Sequence, residues 1–308
     1  MSANPFLSKH APVCPENLLT LAKQNPPAKT AIVRAGSALP MQAAKAAVDA
    51  GIMEPVFVGE KADIEREACA ISWDIREFKI VDTNGEEEAA YEGSLLGNRG
   101  EVDVIMKGNL HTDQFMGALI KKDTGIRTSN RLVHVFYITD PVEQRPMIIS
   151  DAAVNVTPDM KTRQAAVTVV DEMARKTGIE RPKISILSAT ESAIPSVPSS
   201  MEAAELAKWA QTNVPTSDVR GPLAMDLILS QDSANTKGLG DDPVAGKADA
   251  IIVPDIVSGN AVFKSLVYMG GGCAAGIVLG GKIPVLLTSR ADPAEARLAS
   301  AALAAIMR

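Results

Sequence analysis

Aromatic residues make up only 4% of this 308-residue chain, which leaves few platforms for stacking single-stranded nucleic acid. Basic residues are outnumbered, 31 Lys and Arg against 37 Asp and Glu, for a net charge of -6. That balance gives no footprint for nucleic acid or for an anionic membrane. The three cysteines, Cys14, Cys69 and Cys273, are an odd and scattered set from which neither a disulfide framework nor a metal pattern is read. A reducing cytoplasm is the expected compartment. His10, His111 and His134 lack any HExxH-like spacing, so no metal site is expected. The first residues carry Pro5, Pro12 and Pro15 and no apolar signal-peptide core. The longest uncharged run, Ser265 to Gly281, has 17 residues and six glycines. It is too short and too glycine-rich for a spanning helix and reads as buried core with turns.

What the chain does have is 46% hydrophobic and 22% charged residues, enough for a sizeable core and too apolar for disorder. Its length suggests two domains. Lys29 to Arg34 reads as a strand, Pro40 to Ala50 as a helix capped by Gly51, and Glu54 to Val58 as the next strand. That spacing argues for a parallel α/β sheet. Val102 to Met106 is a further strand. Val133 to Ile138 and Pro146 to Ser150 are joined through Asp140-Pro141, which favours antiparallel pairing. Thr157 and Pro158 suit the N-cap and first position of a helix ending before Gly178. Lys183 to Leu187 and Asp249 to Val253 read as strands, and Met201 to Gln211, Leu223 to Leu229 and Ala261 to Met269 as helices. Gln231 to Lys247 lacks any period and reads as a long loop of the kind that serves as a lid. Ile283 to Leu287 is the last strand and Pro293 to Met307 the closing helix.

Four segments carry candidate chemistry. Thr288-Ser289-Arg290 follows a strand end, where open α/β sheets bind ligands. Asp292 as N-cap with Pro293 and Glu295 would form a capping box whose helix end favours an anion. Arg290 offers a planar fork for phosphate or carboxylate, and Ser289 a hydroxyl donor for an oxyanion. Lys107, Gly108, His111 and Thr112 follow another strand end, with Lys107 and Thr112 able to address phosphate oxygens. Pro254, Asp255, Ser258, Gly259 and Asn260 link a strand to a helix, with Ser258 or Asn260 as its cap; Gly271 and Gly272 would let backbone approach a ligand closely. Asp151 and Asn155 lie just past a strand end, placed either to orient a substrate or to cap the next helix. No GxGxxG fingerprint is present.

In combination, VIMKGNLHT, DAAVNVTPD, PDIVSGN with the later glycines, and LLTSRADPAEA resemble the phosphate acetyltransferase and phosphate butyryltransferase family, in the family's order and over nearly the whole chain. The likeness is greater to its butyryl-type and hydratase-associated branch. The resemblance implies reversible acyl transfer, with acyl-CoA and inorganic phosphate giving acyl phosphate and CoA. It implies two α/β domains with a cleft between them, similar to the isocitrate and isopropylmalate dehydrogenases. On this mapping the first domain is 1–138 plus 283–308 and the second 139–282. A cytoplasmic homodimer is implied, with CoA and phosphate as substrates and no metal or organic cofactor. The catalytic Ser-Arg pair falls on Ser289 and Arg290. The family's suggested Asp base falls on Ala296, with Glu295 beside it as the available carboxylate. An Arg common after the Lys-Gly loop falls near Gly117, with Arg127 or Arg131 as substitutes. The alternatives are a metal-dependent decarboxylating dehydrogenase, for which metal and nicotinamide sites are not evident, and a degenerate family member that binds CoA or acyl phosphate without turnover.

Overall fold

The protein is described by a computed structural model covering residues 4, 6–287 and 291–308. The chain runs through α1 (Glu16–Ala22), β1 (Ala28–Val33), α2 (Ala38–Asp49), β2 (Met53–Gly59), α3 (Lys61–Ala70), β3 (Lys79–Asp82), α4 (Gly85–Asn98), β4 (Val104–Lys107) and α5 (Thr112–Leu119). It continues through β5 (Val133–Thr139), β6 (Pro146–Ser150), α6 (Met160–Lys176), β7 (Lys183–Leu187), α7 (Pro198–Asn213), β8 (Asp218–Leu223), α8 (Met225–Leu229), α9 (Gln231–Thr236) and β9 (Ala250–Ile252). The last elements are α10 (Ile256–Lys264), a π-helical turn (Ser265–Met269), β10 (Cys273–Leu279), β11 (Val285–Leu286) and α11 (Ala294–Met307).

The chain divides into two compact units, 13–130 with 275–308 and 1–12 with 131–274. In the first, parallel strands run in the order β3-β2-β1-β4-β11, with β10 antiparallel to β11. The strand β1 is almost wholly buried, as expected for a parallel strand covered on both faces. The small residues Gly93 and Gly97 let α4 settle onto this sheet: a Cβ on Gly93 would lie 2.4 Å from Val33 Cγ2, and one on Gly97 2.7 Å from Ile105 Cδ1. The alanines of α11 pack on α1 and α2, with Ala299 and Ala302 fully buried.

In the second unit the order is β5-β6-β9-β7-β8. The β5/β6 pair is antiparallel, with Tyr137 opposite Ile148, as the short link at Asp140 predicts. Asp140 turns that link by accepting backbone N–H bonds from Val142 (2.9 Å), Glu143 (2.7 Å) and Arg145 (2.7 Å). The strands β6, β9, β7 and β8 are parallel.

Several local expectations are corrected. The helix α6 is capped by Asp159, which accepts from Thr162 N at 2.8 Å, because Asp159 offers a side-chain acceptor three residues before that N–H. Residues 218–223 form β8, whose inward half is buried beside β7. The expected lid at Gln231 to Lys247 instead opens with α9, and Val244 and Ala245 are buried in the core with Leu227 and Ile251. Two adjacent apolar side chains in a polar stretch anchor it. The glycine-rich run after the π turn contains β10, with Ala275 and Ile277 buried. Among the described residues no helix is long and apolar enough to cross a membrane.

Gly93→Ala is expected to cost about 1–3 kcal/mol of overpacking against the stiff Val33, outweighing the gain of ~0.5–1 kcal/mol in helix propensity. Urea unfolding reads this, and adding Val33→Ala recovers part of the loss. A neutral or stabilising Gly93→Ala would refute tight α4–β1 packing.

Candidate active site

In the first unit the chain order reverses at β1: β2 lies on one side of it and β4 on the other. Such a switch point opens a crevice beyond the carboxyl ends of the strands. The loop Lys107 to Thr112 leaves β4 at this place. The Gly108 N–H donates to Val33 O at 2.8 Å and the Asn109 N–H to Arg34 O at 2.9 Å. A Cβ on Gly108 would stand 2.5 Å from both carbonyl oxygens, so only glycine allows this backbone approach. Buried Leu110 anchors the loop, Lys107 is half-buried, and His111 and Thr112 are exposed at the start of α5.

Behind this loop lies a charge network absent from the sequence reading. Arg34 follows β1 with φ +57°. Its Nη1 donates to Glu86 Oε1 at 3.0 Å and its Nη2 to Glu60 Oε1 at 3.3 Å. Glu86 Oε2 accepts the His111 N–H at 2.9 Å and meets the imidazole Nδ1 at 2.8 Å. The His111 N–H bond, chiefly, holds the Glu86 carboxyl below its usual range. For Glu60, burial pushes upward, but backbone N–H bonds from Glu60 itself and Gly85, together with Arg34, outweigh it and leave the carboxyl lowered. The signal for this network was Arg34 directly after a strand and the acidic triplet from Glu86, which the folding chain brings together across 52 residues.

The strand β11 lies beside β4, with Leu286 opposite Met106. Ser289 and Arg290, three and four residues past its end, lie outside the described residues. The helix α11 begins at Ala294 with Pro293 as N-cap and no side-chain capping bond. Pro293 is extended at ψ 163°, so the helix starts one residue later than expected and Glu295 stands at its second position. Glu295 is exposed. Burial, and then the charge of Glu295, push the Cys14 thiol up to about 11. Ala296 is buried. A Cβ on Gly117 meets nothing within 4 Å, so no neighbour fills that position. Arg127 is exposed, and Arg131 pairs with Asp159 at 3.2 Å.

In the second unit the loops after the parallel neighbours β6 and β9 meet. A Cβ on Gly259 would lie 2.8 Å from Asp151 O and 2.9 Å from Ala152 Cα. The Ile256 N–H donates to Val156 O at 3.1 Å. Arg163, buried, ties both loops by donating to Pro158 O (3.2 Å) and Pro254 O (2.8 Å), and pairs with Glu202 at 2.9 Å. Asp151, also buried, accepts four bonds: from the N–H groups of His134, Ala153 and Val154 at 2.9 Å each, and from Asn155 Nδ2 at 2.7 Å. Asn155 Nδ2 also donates to Leu132 O at 2.8 Å. These two side chains are thus committed to shaping their own loop. Arg163 carries no local signal, because a single arginine in an amphipathic helix looks like a solvated one.

Asp255 caps α10, accepting from Ser258 N at 2.8 Å and Ser258 Oγ at 3.1 Å. The helix therefore starts at Ile256, ahead of the expected Ala261, and Ser258, Gly259 and half-buried Asn260 lie inside it. Gly271 and Gly272 are closely packed: a Cβ on Gly271 would meet Ser8 Oγ at 2.5 Å, and one on Gly272 would meet Ile138 Cγ2 at 2.8 Å. Among the described residues no group of three or more His, Cys, Asp or Glu could hold a metal ion.

The family described as phosphate acetyl/butaryl transferase matches residues 86–305. The phosphate acetyltransferase of Rhizobium meliloti is 36% identical over 292 residues, covering 94% of this chain and 92% of that protein. The phosphate butyryltransferase of Clostridium acetobutylicum is 34% identical over 280 residues, covering 91% of this chain and 93% of that protein. A solved branched-chain phosphotransacylase from Enterococcus faecalis V583 superposes with a TM-score of 0.78 at 29% identity, covering 91% of this chain and 98% of that one. The chain belongs to the phosphate acetyl/butaryl transferase family.

One stability consequence follows from His134. Its ring is buried against Phe136, and its Nδ1 has no hydrogen-bond partner. Burial, partly opposed by Asp151, pushes the imidazole down from 6.5 to about 4. Between those values the unfolded chain binds the proton and the folded chain does not, so this group makes stability fall as pH drops from 6.5 toward 4 and contributes no slope above that range. Urea midpoints at pH 7.5 and pH 5 should differ more for the wild type than for His134→Phe; equal differences would remove His134 as the source. Asp151→Asn, which turns an amide toward N–H donors, should cost about 2 kcal/mol or more, read in the same unfolding experiment at pH 7.5.

Proposed function

We propose that this chain is an acyltransferase that moves a short acyl group reversibly between CoA and inorganic phosphate. The observation that carries the reading is family membership along nearly the full length, joined to strand-end loops built where α/β sheets bind ligands. Phosphate near neutral pH is largely dianionic, and Arg290 with the first N–H groups of α11 would grip it. Phosphate oxygen attacks the thioester carbonyl, and the carbonyl oxygen gains charge that Ser289 would stabilise. The C–S bond then breaks, giving acyl phosphate and CoA.

In this reading Lys107, Gly108, His111 and Thr112 are assigned to substrate binding, as are Pro254, Asp255, Ser258, Gly259 and Asn260. Asp151 and Asn155 act by holding that second loop. Gly271 and Gly272 are assigned to packing of the N-terminal segment and β5. The two units are read as the two domains of a fold like that of the isocitrate and isopropylmalate dehydrogenases. CoA, phosphate and acyl phosphate are the partners, with no metal or organic cofactor, and the compartment is the cytoplasm. The binding-only alternative is not favoured, given relatives named as transferases at 36% and 34% identity.

We also read the chain as a homodimer. The helix α10 and the π turn carry Lys264 as their one charge, yet Val257, Tyr268 and Met269 are exposed, as are Phe6 and Leu7 on the neighbouring N-terminal segment. A second copy would cover this face.

Thiol release from acetyl-, propionyl-, butyryl- and isobutyryl-CoA, with and without phosphate, tests the reaction class and ranks the acyl groups. Phosphate-dependent release is expected. Arg290→Ala should lose most of it, and Ser289→Ala roughly 10²-fold or more, as on removal of an oxyanion donor. Unchanged turnover in Arg290→Ala would remove it from the site.

A further inference from the structure

The acyl-transfer reading leaves one chemical requirement unmet by its assigned residues. In the direction of thioester synthesis the CoA thiol must lose a proton, since the thiolate is the nucleophile. The position that an acid–base residue would occupy on α11 is Ala296, which is apolar and buried. Glu295 is the neighbouring carboxylate, and its charge bears on Cys14.

We propose that His111, oriented by Glu86, is the base that takes this proton, an assignment that rests on the acyl-transfer reading. Glu86 accepts twice from His111, through the backbone N–H at 2.9 Å and Nδ1 at 2.8 Å. An ionised carboxylate only accepts, so Nδ1 carries the hydrogen and Nε2 holds the lone pair. The His111 side chain is 77% exposed, so the ring edge opposite Glu86 faces solvent. Arg34 fixes the other carboxylate oxygen at 3.0 Å and is itself held by Glu60 at 3.3 Å, so Glu86 cannot swing away without breaking its ion pair to Arg34 and its bonds to His111. A base whose second nitrogen is oriented by a fixed carboxylate is the arrangement that activates nucleophiles in unrelated enzymes.

Its place in the fold agrees. His111 lies on the loop leaving β4 at the switch point, and β4 is the parallel neighbour of β11, whose chain leads on to Ser289 and Arg290. The charged groups nearest along its own loop and helix are Lys107 and Asp113, and those packed against it from other elements are Glu86 with Arg34 and Glu60 behind it. The step balances: the thiol proton passes to Nε2, sulfur bonds the acyl carbon, and the carbon–oxygen bond to phosphate breaks with its electron pair leaving on phosphate. In reverse, the departing thiolate recovers the proton from the imidazolium.

The test is the pH dependence of kcat for thioester formation from acyl phosphate and CoA, in wild type, His111→Gln and Glu86→Gln, with CD and urea midpoints as folding controls. His111→Gln should lower kcat near neutral pH by roughly 10²–10⁴-fold. It should leave KM for acyl phosphate little changed, and the deficit should shrink above about pH 9, where CoA supplies its own thiolate. Glu86→Gln, a positioning change, should give a smaller loss with a displaced pH profile. A His111→Gln enzyme with the wild-type profile, or one with the same fractional loss at every pH, would overturn the assignment. Wild-type protein inactive with all four CoA esters would overturn the acyl-transfer reading, and this assignment with it.

Discussion

A carboxylate that accepts backbone N–H groups holds the loops that follow β4, β5, β6 and β9. Residues leaving the end of a strand lose their ladder partners, and N–H groups left unmet in a partly buried loop are costly. Asp140, Asp151 and Asp255 each accept from residues two to five positions ahead. Glu86 does the same from another element, reaching the His111 N–H. Because an anionic acceptor bonds more strongly than a neutral one, each loop takes one shape. The candidate chemistry stands on these loops.

The same device sets apart the polar residues that build the site from those left to act in it. Asp151 and Asp255 look like substrate ligands in the sequence, yet their oxygens are taken up by the chain. His111 is the reverse case. Its backbone and one ring nitrogen are fixed, and most of its side chain is open to solvent. Glycines complete the construction where backbones must touch, at Gly108 against β1 and at Gly259 against Asp151. Gly271 admits the N-terminal segment, with Ser8 Oγ 2.5 Å from where its Cβ would stand.

Much of the alternating strand and helix pattern was legible because buried parallel strands are short apolar runs bounded by turn residues, as in β1, β2 and β7. The errors fall where a local signal was weak or had two outlets. Residues 218–222 gave no strand signal because Arg220 and Pro222 dilute the pattern, and pairing with β7 makes them β8. The cap of α6 moved from Thr157 to Asp159 because both types cap well and only the bend of the chain chooses. The glycines hid β10 inside a run that resembled turns.

The sequence by itself determined the α/β class, the parallel pairing of β1 with β2, the antiparallel turn at Asp140 and the family, since these depend on apolar periodicity, turn chemistry and contiguous motifs. Only the tertiary structure decided that Arg34, Glu60, Glu86 and His111 form one network and that Arg163 ties Pro158 to Pro254. The network partners lie 25 to 52 residues apart, and Arg163 reaches Pro254 across 91. No local pattern records such a pairing: it arises when strand order brings distant loops to one edge of a sheet, and charge then finds its complement across the gap.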